Sequence, residues 1–80
     1  MSNTTLPRPR FNSALARRMR LARGFTVRQV AARVGRAPVT VSAYECRGVM
    51  PSPPVRVALE RLYGLEPGEL LVYDAQGGEE

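Results

Sequence analysis

Eighty residues, 44% of them apolar, with one cysteine and neither histidine nor tryptophan, are enough for a single small domain with one core. This residue set speaks against histidine general bases, a histidine-activated thiol, a zinc centre and an internal disulfide, so no cofactor or metal is expected and the chain reads as a non-enzyme. Twelve basic residues against seven acids leave a net charge of +5, and no apolar run approaches the ~18 residues of a membrane span. The N-terminus lacks the pattern of a signal peptide, and the expected location is the cytoplasm of a bacterial or phage-infected cell.

Every basic residue is arginine. Codon usage in a GC-rich genome explains that choice best, but the guanidinium still pairs well with phosphate. Position is more informative than type. Residues 1–47 hold ten arginines against Glu45 alone, a balance of +9, while residues 48–80 hold two arginines against six acids, a balance of −4. Such asymmetry points to an anionic partner for the first half, with nucleic acid the leading candidate.

Residues 1–11 read as a flexible basic arm, residues 12–73 as the domain, and residues 74–80 as a disordered acidic tail. A first helix is predicted over residues 12–23, capped by Asn12 or Ser13 and ended by Gly24, with Leu15, Met19 and Ala22 in one apolar row. A second opens at Thr26, where T-V-R-Q is a capping box, and turns Val27, Val30, Ala31 and Val34 inward. Gly35 supplies a turn residue free to take positive φ. The third helix runs from Pro38 to Cys46 with Val41 and Tyr44 inward, and Cys46 is expected to be a partly buried free thiol. A fourth is capped by Ser52, begins at Pro53 and Pro54, and buries Val55, Ala58, Leu59 and Leu62 before Gly64 stops it. A short fifth helix is predicted over residues 67–72. The fold class is therefore all-α, a compact five-helix bundle.

Helices two and three with the turn between them form a helix-turn-helix. Ala31 is small where the helices cross, Gly35 permits the turn four residues on, and Val41 fills the space beneath the third helix six residues beyond. Val30, Val34 and Tyr44 occupy the remaining core positions.

On these residues the chain resembles the lambdoid repressor and Cro class, the XRE-type regulators. Residues 19–45, MRLARGFTVRQVAARVGRAPVTVSAYE, look like that class's helices one to three, and residues 51–71, PSPPVRVALERLYGLEPGELL, like helices four and five. The resemblance implies a repressor-like domain that lays its third helix in the major groove, as a homodimer on a two-fold operator. It also implies a structural ion pair between Arg20 and Glu45. The base-facing positions fall on Ala37, Pro38, Val39, Thr40 and Ala43. None of these makes the bidentate hydrogen bonds that read guanine or adenine, although Val39 and Ala43 suit thymine methyl groups. Where the class often holds a phosphate with glutamine, this chain has Val27, leaving Arg28 to substitute. Two residues rather than one separate Glu45 from Gly48, which implies a different path for the following loop.

Phosphate contacts are assigned to Arg28, Arg36, Ser42 and Arg47, and a minor-groove arm to Arg8 and Arg10. The apolar run Leu70, Leu71, Val72 and Tyr73 either caps the chain's own core or exposes a patch for a partner, and the four are candidates for a dimer surface, since the class often places dimer contacts there. The partner is thus double-stranded DNA. The rival is a protein-interaction module, such as an antitoxin or a polymerase-binding phage factor, docking through Pro38, Val39 and Ala43 on a possible protein partner.

Overall fold

The computed structural model describes residues 8–73, in the order β1 (Pro9–Phe11), α1 (Ser13–Ala22), α2 (Val27–Val34), α3 (Pro38–Cys46), α4 (Pro53–Leu62) and β2 (Leu71–Tyr73). Local chemistry sets most of these boundaries. The Asn12 side chain accepts from the Leu15 N–H at 3.1 Å and starts α1. At α2 the Thr26 hydroxyl accepts from the Gln29 N–H while the Gln29 side chain accepts from the Thr26 N–H, a complete capping box. Ser52 holds the N-cap position of α4, but its side chain makes no cap bond. Pro53 and Pro54 occupy the first helical positions and bring no N–H to be satisfied.

The turn between α2 and α3 depends on Gly35, left-handed at φ +70°, after which the Arg36 N–H returns to the Ala31 carbonyl at 3.0 Å. Ala31 is 1% exposed, so the two helices close over a methyl group where a larger side chain would hold them apart.

Four helices and a two-stranded sheet replace the expected five-helix bundle. Residues 67–70 form turns and residues 71–73 a strand, because two features oppose a helix over 67–72. Gly68 sits at φ +93°, outside the helical region, and Leu71-Val72-Tyr73 favours an extended backbone. β2 pairs antiparallel with β1, matching Pro9 to Tyr73, Arg10 to Val72 and Phe11 to Leu71. The Asn12 N–H extends this contact to the Leu70 carbonyl at 2.7 Å.

Consequently the segment expected as an arm ends inside the fold. Phe11 is buried and meets Tyr44 edge to face, ring centres 6.0 Å apart, a contact worth ~1 kcal/mol beyond burial. Phe11 and Tyr44 share one core with Ala16, Val30, Ala31, Val41, Val55, Leu59, Tyr63 and Leu70. Leu15, Met19, Phe25, Val27, Val34 and Leu62 pack partly buried against it, Ala58 is half-buried, and Ala22 is exposed. Residues 1–7 and the acidic tail over 74–80 lie outside the described residues.

Two carboxylates organise the rest. Glu45 takes both the Nε and an Nη of Arg20, at 2.8 and 3.0 Å, and Arg20 also donates to the Phe25 carbonyl. This bidentate bond is the main cause that raises the Arg20 pKa above its ordinary value, opposed by desolvation. Glu60 is 1% exposed, pairs with Arg56 one turn earlier at 2.8 Å, and accepts from the backbone N–H groups of Gly68 and Leu70 at 2.9 and 3.1 Å. It therefore fixes the turn that leads into β2.

Candidate nucleic-acid interface

Of the ten arginines in the first half, several are committed to structure. Arg20 belongs to Glu45. Arg23 donates to the Tyr63 carbonyl at 2.8 Å, beside Gly64, where an added Cβ would stand 2.5 Å from its Nη2. Arg33 lies over the Phe25 ring, 5.1 Å from its centre. Sequence reasoning missed both the Arg23 and the Arg33 contacts. The 3.6-residue period that places Phe25 near the core carries no signal for a guanidinium above it.

Arg28 on α2, Arg36 in the turn and Arg47 at the end of α3 are all exposed. Arg36 donates its Nη1 to the neighbouring Gly35 carbonyl at 3.0 Å. Arg8 is exposed ahead of β1, and Arg10 is exposed on β1 itself. The sheet brings Arg10 to a hollow of about 560 Å³ that Arg47 also lines, together with Asn12 and Ser13. These two cations, 37 positions apart in sequence, thus share one side of the molecule.

Along α3, Ala37 and Pro38 are exposed at the N-terminal end, Val39 is 73% exposed, and Thr40 and Ser42 are half-buried. Ala43 departs from the base-facing set. Only 8% of it is exposed, and residues 47–49 turn back so that the Val49 N–H reaches its carbonyl at 3.4 Å. The extra residue between Glu45 and Gly48 takes part in that return, and Gly48 turns it at φ +67°. Cys46 is exposed rather than partly buried, since it closes α3 on the outer side. Val39, Ser42, Ala43, Cys46 and Arg47 line a shallow hollow of about 330 Å³.

The proposed dimer residues divide in the same way. Leu70 is fully buried in the core and has no surface for a partner, Leu71 and Val72 are half-buried, and Tyr73 is 58% exposed. Among the described residues, no three His, Cys, Asp or Glu side chains are grouped as a metal would require, and no helix is long and apolar enough to cross a membrane.

A tight two-helix turn, a second helix with an exposed N-terminal face and cations on the adjoining surface define a helix-turn-helix DNA-binding domain. The model of the family described as "Helix-turn-helix domain" matches residues 13–72, three quarters of the chain, and the protein belongs to that family. This is a family of DNA-binding domains, typically not enzymes. No curated protein matches the chain.

Proposed function

We propose that this helix-turn-helix protein is a cytoplasmic transcriptional regulator of the repressor and Cro kind. It binds a short two-fold operator as a homodimer, with α3 in the major groove. The observation that carries this reading is the exposed set Arg28, Arg36 and Arg47 along α2, the turn and the end of α3, in a half of the chain with a balance of +9. In this arrangement those arginines hold phosphates and Ser42 adds a hydroxyl contact. Ala37, Pro38, Val39 and Thr40 meet base edges. Arg10, which lines the same hollow as Arg47, joins the backbone-contacting set, and Arg8 remains for the minor groove. Leu71, Val72 and Tyr73, on a strand with one described partner, form the self-association surface.

Footprinting on DNA flanking the gene, with sedimentation of the free protein and the complex, tests the reading. Protection of an inverted repeat by two protomers is the expected result. Affinity falls steeply with salt as phosphate contacts release counterions. Arg36→Ala or Arg47→Ala each weakens binding to every sequence and lowers the salt slope by about one. Equal, weak binding to promoter and random DNA at physiological salt overturns the regulator. The exposed Val39 would then favour the protein-docking module, an antitoxin or polymerase-binding factor.

A further inference from the structure

The N-terminal residues of the second helix in a helix-turn-helix lie against base edges. In this protein that stretch has an unusual chemistry. Between Arg36 and Arg47 there is no arginine, lysine, asparagine or glutamine, the side chains that hydrogen-bond guanine or adenine in pairs. The most outward apolar side chain is Val39, at 73% exposed, on a helix whose inward positions are filled by Val41 and Tyr44. Val39 contributes nothing to the core. Ser42, Ala43, Cys46 and Arg47 line the shallow hollow with it.

Charge selects the occupant of this apolar face. Exposed Arg36 precedes it and exposed Arg47 ends it, so its partner is an anion that presents an apolar group. The major groove of DNA has one such group on its base edges, the C5-methyl of thymine. Cytosine lacks it, and 5-methylcytosine carries it at the same ring position. We propose that Val39, with the hollow behind it, reads pyrimidine 5-methyl groups. The protein then selects DNA chiefly by where those methyls stand rather than by bidentate hydrogen bonds. This rests on the DNA-binding reading above and adds to it the chemical feature that is recognised.

The test begins by enriching random-sequence duplexes on the full-length protein. The enriched duplex is then resynthesised with deoxyuridine at each thymidine in turn, and with cytosine or 5-methylcytosine in its place. Loss of a recognised methyl weakens binding about fourfold, the value of burying one such group, and 5-methylcytosine binds tighter than cytosine at that position. Val39→Ala, which keeps the fold because the side chain is exposed, binds the thymidine and deoxyuridine duplexes alike. An enriched duplex that the native protein binds equally well with thymidine or deoxyuridine overturns the methyl inference and leaves DNA binding intact. If the protein retains no duplex at all, DNA binding is overturned and the inference falls with it; if it retains duplexes without enriching any sequence, the methyl inference falls alone.

Discussion

The two halves of the molecule are each organised around a buried glutamate with an arginine partner, and the two glutamates do different work. In the α1–α3 half, Glu45 meets Arg20 in a two-pronged bond that joins α1 to α3, and Arg20 adds the carbonyl at the start of the α2 approach. In the α4–β2 half, Glu60 pairs within its own helix and gives its other capacity to two backbone N–H groups in a turn. One carboxylate sets the angle between helices, and the other replaces the hydrogen bonds that a fifth helix would have made internally. The exposed arginines Arg28, Arg36 and Arg47 all belong to the first half, while α4 exposes Arg61 alone. The second is an acidic brace that returns the chain to β1 and covers Phe11. Tyr63 lies where the halves meet, with the charges of both Arg20 and Glu45 acting on it.

The sharpest way to break this division is Glu60→Ala. It leaves the part-buried Gly68 N–H, the buried Leu70 N–H and Arg56 without their acceptor, at a cost of about 4 kcal/mol, a large share of the stability of a domain this size. Denaturant unfolding measures the loss. Hydrogen exchange adds the regional signature, with the Gly68 and Leu70 amides becoming fast. Arg20→Ala is next, at about 3 kcal/mol, since it leaves Glu45 buried and unpaired. Here the Gly68 and Leu70 amides remain the better protected ones, and DNA affinity falls because α3 loses its tie to α1. If both variants give the same exchange pattern, the two halves are one unit and the division is wrong.

A smaller effect comes from the junction. Burial is the first cause that pushes the Tyr63 phenol up to about 12, with the Glu45 charge adding to it and Arg20 opposing. The unfolded chain releases this proton near ~10, before the folded protein does. Stability is therefore fully present below pH ~10 and is lost as pH rises toward 12. Unfolding followed across that range in the native protein and in Tyr63→Phe isolates this share of the decline, which the phenylalanine variant lacks. Smallest is Thr26→Ala, which removes half the capping box of α2 for about 1 kcal/mol and leaves the α4–β2 half unaltered.

Residues that act through near neighbours were legible in the sequence. Asn12 and Thr26, the prolines at 38, 53 and 54, and Gly35 mark helix ends through bonds or steric limits that span four residues or fewer. The stripe Val30, Ala31, Val41 and Tyr44 follows from helical period, and these residues are in the core. The exposed arginines were legible as a charge imbalance. The Arg20–Glu45 pair came from the resemblance alone, because nothing local links positions 25 apart. The burial of Leu70 and Ala43 was not legible, because the projection of a single helix does not contain the rest of the fold.

By itself, then, the sequence determined four helices, the helix-turn-helix and the side of the chain that bears the charge, since caps, periodicity and net charge are short-range or additive properties. Tertiary structure alone decided the fate of both ends of the domain. Gly68 and Leu71-Val72-Tyr73 already weaken a helix over residues 67–73 locally. Where the segment goes instead is set by Glu60, which captures two backbone N–H groups eight and ten residues away, and by β1, which offers a ladder to Leu71-Val72-Tyr73. The same pairing drew Phe11 into the core and brought Arg10 to the hollow that Arg47 lines.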